Sequence, residues 1–318
     1  MELDFLKDIS EESLRKLAFL FQAGKVEPEK AGVTIEDFKQ EYISHMKEKG
    51  YSNAYITSSE FTLKKLFTYF GTAKAIKEID IRSAEKFIYS LQKNAPRGVI
   101  NYLRNLKVIF SQAVKWEYIT ENVFNKITLP KKQKTNPEFM GPTELELICS
   151  FITIQAIKDI ILFSFYTGAR LGEAINITWQ DIDLTERNIH IGRNCFTKSR
   201  KERTVPICNP LYEILTRRKT ETKIIELDAA YVFKQKDGDR YKPDFVSKSF
   251  CRARRKAKLG EGIHFHTCRH SFASNLVQKG VSIYTVKELL GHSSVVMTEI
   301  YSHLQTEDLR KAVNLLNR

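Results

Sequence analysis

The stretch Leu129–Pro142, LPKKQKTNPEFMGP, restricts the folds open to this chain more than any other. It contains three prolines and three lysines and has no apolar periodicity, so neither a helix nor a strand runs through it. It reads as an exposed linker. The chain must then build a separate core on each side, and its 318 residues suffice for two. A cationic hinge suits a protein that closes around a duplex, and equally any two-domain protein.

Ahead of the linker every period is helical. Thr34 with Asp37 approximates a capping box, and Gly50 ends that helix. A second helix spans Ser52 to Phe70, with Ile56, Phe61, Leu63, Leu66, Phe67 and Phe70 as its apolar side and Gly71 closing it. A third starts near Ser83. A fourth follows Pro96 and carries Ile100, Leu103, Leu106, Ile109, Phe110 and Val114 at three- and four-residue steps. Four such helices predict a compact bundle over 31–130. Residues 1–30 predict a short helical extension from Glu11 to Ala23, which docks on something through Leu14, Leu17, Leu20 and Phe21.

Beyond the linker (131–142 at its narrowest) the pattern is mixed. Thr143 with Glu146 predicts a helix start, and an apolar helix from Gln155 to Phe165 leads into Thr-Gly-Ala-Arg at 167–170. Asn188–Gly192 and Arg203–Ile207 alternate about a polar turn at Lys198–Lys201, and Tyr231–Phe233 offers a further short strand. Helices then return. Leu309, Val313 and Leu316 give a small amphipathic helix over 306–316. The expected fold class is mainly α (α+β), with the small sheet confined to 143–318.

Lys and Arg number 51 against 38 Asp and Glu, a net charge of +13 with pI near 9.4. Both main segments are basic and the leader is not. Nucleic acid is the first partner to consider, because a cationic surface neutralises phosphates, although solubility alone gives the same balance. The five cysteines are odd in number and form no Cys-x-x-Cys, which predicts free thiols in a reducing compartment. The start, MELDFLKDISEES, is too acidic for a signal peptide, and no apolar run approaches the roughly 20 residues of a membrane span. A cytoplasmic, nucleoid-associated protein without a membrane segment is expected.

The stretch from His264 to His303 concentrates reactive side chains: His266, Arg269, His292 and Tyr301, preceded by Arg170 and Lys198. Moving a phosphodiester needs a nucleophile, cations on the non-bridging oxygens and an acid for the leaving oxygen. Tyr301 can attack once activated, Arg170 and Arg269 can grip the phosphate with planar forks, and Lys198 can protonate a departing 5′ oxygen. His266 and His292 can carry protons or bond the phosphate. Each residue has a plainer role open to it. Arg170 can cap a helix, Lys198 can be solvated, and Tyr301 can be core. His264, His266 and His270 invite a metal, but no cysteine or carboxylate stands at ligand spacing beside them. Glu173 reads as structural, orienting the arginine or histidine. Arg200, Lys201 and Arg203 could equally be general phosphate contacts. The run Arg252, Arg254, Arg255, Lys256 and Lys258 offers either a phosphate-facing or a solvated helix.

In order and surroundings these residues resemble the tyrosine recombinases of the phage integrase family, Xer-type resolvases included. That family carries an Arg in Thr-Gly-x-Arg, a hairpin Lys, His-x-x-Arg, a His or Trp, and a Tyr. Here these fall on Arg170, Lys198, His266, Arg269, His292 and Tyr301. Glu173, Val-Pro-Ile at 205–207, Arg-His-Ser-Phe-Ala-Ser at 269–274 and Leu-Leu-Gly-His at 289–292 agree too, and 31–130 is similar to the family's core-binding domain. Cys268 stands where the family more often has leucine, and the leader does not resemble an arm-type DNA-binding domain.

The resemblance implies a C-shaped DNA clamp, a core-binding domain over 31–130 and a catalytic domain over 143–318. It implies cleavage without metal, ATP or other cofactor, through a 3′-phosphotyrosyl link on Tyr301, for integration and excision of a mobile element or resolution of multimers. The partners implied are double-stranded DNA, three further protomers in a tetramer formed on DNA by exchange of the helix near 306–316, and accessory DNA-bending or directionality proteins. A type IB topoisomerase, or a DNA-binding protein without catalysis, are the alternatives.

Overall fold

The computed structural model describes residues 32–96, 98–130, 137–193, 202–221, 230–304 and 316. The chain divides into two compact units, Met1–Lys132 and Gln133–Arg318. The expected helices over 11–23 and 306–316 and the turn carrying Lys198 lie outside the described residues.

The first unit packs α1 (Ile35–Glu48), α2 (Asn53–Phe70), α3 (Ile81–Asn94) and α4 (Val99–Lys115). Each start has a side-chain acceptor where the sequence supplies one: Thr34 for the Asp37 N–H, Ser52 for Tyr55, and Asp80 for Ser83. Asp37 accepts from the Thr34 hydroxyl at 2.6 Å. An Asp side chain is too short for the usual reach to the cap's own N–H, so this is half a capping box. The core joins Phe38, Leu63, Leu66, Phe87, Leu106, Ile109, Phe110 and Phe124. Three expected core residues lie outside it: Phe61 is 50% and Ile100 40% exposed, and Val114 is only half-buried. Val99 and Ala113 are buried instead, so the inward stripe of α4 runs one position off the one expected at either end.

The second unit begins with α5 (Pro142–Ser150) and α6 (Gln155–Thr167). α5 starts one residue before Thr143, because Pro142 fits the first turn and Glu144 reaches back to the Gly141 N–H at 2.7 Å. After α7 (Leu171–Asn176) come three antiparallel strands in order, β1 (Ile182–Asp183), β2 (Asn188–Ile191) and β3 (Arg203–Pro206), with Ile189 paired to Val205. Tyr231–Phe233 forms no strand; Tyr231 makes only an isolated bridge to Thr178. α8 (Asn209–Glu221) is tied to α6 by the fully buried Asp159, which accepts from Arg217 at 2.8 Å and Arg218 at 2.7 Å. α9 (Pro243–Lys256), α10 (Thr267–Gln278) and α11 (Ile283–Leu290) follow, then short 3-10 turns at Val295–Met297 and Glu299–Leu304. The molecule is mostly helical with one small antiparallel sheet.

The main core of this unit runs through α6, the sheet and α9 and includes Cys268. A second, smaller cluster gathers Ala273, Val277, Val286, Leu290 and Tyr301, from α10, α11 and the last turn. Tyr301 is thus packed into an apolar wall at the edge of the polar site. Among the described residues no helix is long and apolar enough to cross a membrane.

Candidate active site

Three chain ends converge here: the C-terminus of α6, the start of α10 and the C-terminus of α11. Gly168 ends α6 with φ +67, and Gly291 ends α11 with φ +66. Both conformations favour glycine. A Cβ on Gly168 would also lie 2.7 Å from side-chain atoms of Leu290 and Phe272. Only a residue without one lets the three segments meet so closely.

Arg269 spans the gap. Its Nη1 donates to the Gly168 carbonyl and its Nη2 to that of Leu290, each at 2.7 Å, and it is 2% exposed. A charged fork on two helix-terminal carbonyls satisfies orphan acceptors and meets the negative end of both helix dipoles. Burial, then the charges of Arg170 and Arg203, push the guanidinium down to about 9, so it remains cationic at neutral pH.

Arg170 opens α7. Its N–H donates to Glu173 Oε2 and its Nη1 to Oε1, both at 2.9 Å, with 32% of the side chain exposed. Arg203, on β3, donates to the same Oε2 at 2.7 Å and through Nε to the Leu289 carbonyl at 2.9 Å. Burial alone would raise the Glu173 carboxyl, but the Arg203 hydrogen bond and charge, with Arg170, draw it down to about 2. Glu173 is therefore an orienting anion, as expected. Arg203 corrects a sequence expectation: it is buried and paired, and joins the sheet to α7 and α11 where a free phosphate contact was expected.

Three arginines thus surround one carboxylate. Among the described residues of this cluster two positive charges are left over, and of the three arginines only Arg170 opens to solvent. An anion with several oxygens completes such a set.

The histidines and the tyrosine form the opposite wall. His292 follows Gly291, and its Nδ1 meets the buried Thr298 hydroxyl at 2.8 Å, which fixes the ring. His266 precedes α10 with its outer edge exposed. Desolvation, then the Arg269 charge, hold both imidazoles down to about 4. For the exposed His266 the direction is what matters, and a bound anion would reverse the charge effect. The phenol of Tyr301 is 1% exposed and meets His270 Nδ1 at 2.6 Å. Burial pushes this phenol up to about 12 against the pull of Arg269. The sequence reading named His270 only as a possible metal ligand and within Arg-His-Ser-Phe-Ala-Ser at 269–274, and gave it no part in the chemistry. The signal available was helical spacing: His266 and His270 are four apart, and their rings lie 4.9 Å apart.

Arg170, His266, Arg269, His292 and Tyr301 are therefore drawn into one region of the second unit, while Lys198 lies outside the described residues. Residues 138–308, more than half of the chain, match the model described as the phage integrase family. The chain belongs to the phage integrase family. Residues 34–132 match the phage integrase SAM-like domain, which corresponds to the first unit. A tyrosine recombinase of Thermosipho africanus is 28% identical over 293 residues, 89% of this chain and 99% of the relative. Tyrosine recombinase XerA of Pyrococcus furiosus is 29% identical over 263 residues, 80% and 87% of the two chains. A Tn1549 transposon integrase solved with a circular intermediate DNA has TM-score 0.73 at 21% identity, covering 89% of this chain and 99% of that one. A lambda integrase tetramer solved on a Holliday junction has TM-score 0.70 at 19% identity, covering 89% and 86%. These two likenesses establish that the integrase-family fold extends over both units.

Proposed function

We propose that the phage integrase family site of this chain performs conservative site-specific DNA recombination, with Tyr301 as nucleophile. In this reading the scissile phosphate enters beside Arg170. Arg170 and Arg269 hold its non-bridging oxygens, and His266 and His292 bond the oxygen charge that grows in the transition state. Tyr301 attacks phosphorus, the bond to the 5′ oxygen breaks, and Lys198 protonates that oxygen. The 3′-phosphotyrosyl link keeps the energy of the broken bond, so a partner strand's 5′ hydroxyl can reverse the step without a nucleotide cofactor. Recombination between two duplexes calls for four protomers on DNA, with the segment near 306–316 exchanged between neighbours. Integration, excision and multimer resolution all use this chemistry.

The observation that carries the reading is the surplus of two cations among the described residues, Arg170, Arg203 and Arg269 against Glu173, beside a protonated phenol. A core tyrosine with a stray ion pair nearby would not need Arg269 buried at such electrostatic cost.

The test is a denaturing gel after incubation, in EDTA, with DNA flanking the chain's own gene. A covalent adduct that survives SDS, maps to a 3′ phosphate and disappears in Tyr301→Phe is expected. Binding by Tyr301→Phe should stay within about twofold, since phosphate contacts dominate affinity. Adduct only with magnesium would overturn the mechanism. Relaxation of supercoils without strand exchange would point to a topoisomerase instead.

A further inference from the structure

Tyr301 must lose a proton as it attacks, and its phenol is shut away from water. Among the described residues its hydroxyl touches one titratable group, His270 Nδ1, at 2.6 Å. O–H donors make the shorter hydrogen bonds of proteins, so a separation of 2.6 Å fits a phenol that donates to a bare imidazole nitrogen. Resting on the recombinase reading, we propose that His270 is the general base of strand cleavage, taking the Tyr301 proton on Nδ1.

The step balances as follows. The Tyr301 Oη–H bond breaks, and the proton passes to His270 Nδ1 while Oη bonds to phosphorus. The phosphorus–O5′ bond breaks, and the departing oxygen takes a proton from Lys198. Rejoining runs the same transfers backward, with His270 returning the proton to the phenolate.

The surroundings suit the task. The groups facing the His270 ring are Tyr301 from the last 3-10 turn and, from its own side, His266, His264 and Arg269. Among the described residues no carboxylate stands with them to hold the imidazole as a cation. Burial, then the neighbouring histidines and Arg269, push it down to about 4, which leaves the ring neutral at working pH, and the negative charge of a bound phosphate raises its basicity toward what a general base needs. His266 and His264 follow outward, with ring centroids 4.9 and 6.4 Å apart in succession. His270 is half-buried and the adjacent His266 is exposed, so a proton accepted at His270 lies close to solvent.

The experiment measures single-turnover adduct formation on a nicked suicide duplex carrying the mapped site. His270→Asn, which keeps a polar group but no useful base, should slow the wild-type rate by about 10²-fold or more and leave DNA binding within about twofold. Free imidazole should restore a measurable part of the rate to His270→Ala, a result that a packing role does not produce. A duplex with a 5′-bridging sulfur, whose leaving thiolate needs no acid, should rescue Lys198→Ala and leave His270→Asn slow. Three results overturn the proposal. Cleavage by His270→Asn slowed less than about tenfold would make the contact a latch on a buried tyrosine. Absence of imidazole rescue in a folded His270→Ala, or full rescue of His270→Asn by sulfur, would remove the base role. Absence of adduct from the wild-type protein would instead strike the recombinase reading itself, and this proposal with it.

Discussion

Glu173 sets the geometry of the arginines, and its own state depends on them. Its carboxyl is held near pH 2 by Arg203 and Arg170, so it is fully charged at any working pH. Replacing it by glutamine leaves the shape but removes the only anion of the cluster among the described residues. Glu173→Gln should cost about 3 kcal/mol, the lower end for breaking a buried pair, because the amide can still accept one hydrogen bond. Urea unfolding followed in the second unit measures this, and a loss below about 0.5 kcal/mol would show that Arg203 finds another partner. At this scale the sequence was informative where spacing is local. Glu173 lies three residues from Arg170, within reach of any helical turn. Arg203 lies 30 residues from Glu173 and 86 from Leu289, and only the assembled sheet and helices bring them together. Nothing along the chain distinguishes it from the lysines and arginines just before it.

The elements were legible in their periods and less so in their phase. Helix starts with Thr34 and Ser52 followed from cap chemistry, and the β2–β3 pairing from alternation. Phe61 and Ile100 show the limit, since an apolar residue at helical spacing is inward only if another element covers it. Phe61 instead stacks on Tyr102 at 6.2 Å on the outside of the first unit. Tyr231–Phe233 read as a strand from its composition, but its backbone finds one bridge partner and no ladder. The junction of α6, α10 and α11 was visible as Thr-Gly-Ala-Arg and Leu-Leu-Gly-His, although not that the Gly168 and Leu290 carbonyls share one arginine. Gly168→Ala should destabilise by roughly 2–5 kcal/mol, from the left-handed backbone and from crowding against Leu290 and Phe272. Gly172→Ala is the control, because a Cβ there meets nothing within 4 Å. Equal unfolding midpoints for the two variants would mean that the junction relaxes freely.

On the whole-molecule scale the two units differ in how they respond to acid. The histidines held low by their surroundings, His266, His270 and His292, all lie in the second unit. Each falls to about 4 in the folded protein, against about 6.5 in an unfolded chain. Between these values the unfolded state binds more protons, so stability rises with pH in that window and is lost as pH falls from about 6.5 toward about 4. Glu173 adds nothing to this window, because its stabilisation is lost only below the ordinary carboxyl range, as pH drops toward 2. The chain carries its own reporters: its two tryptophans are Trp116, in the aromatic cluster of the first unit, and Trp179, in the core of the second. In Trp116→Phe the remaining fluorescence follows the second unit, and in Trp179→Phe the first. Moving from pH 7 to pH 5 should therefore lower the thermal midpoint seen by Trp179 by several degrees more than that seen by Trp116. A duplex carrying the recombination site should oppose the shift, since phosphate beside His266 and His292 favours their protonated forms. Equal shifts at both tryptophans without DNA would mean that the three histidines are solvated in the free protein, and that the electrostatic cost argued for the site is not stored there.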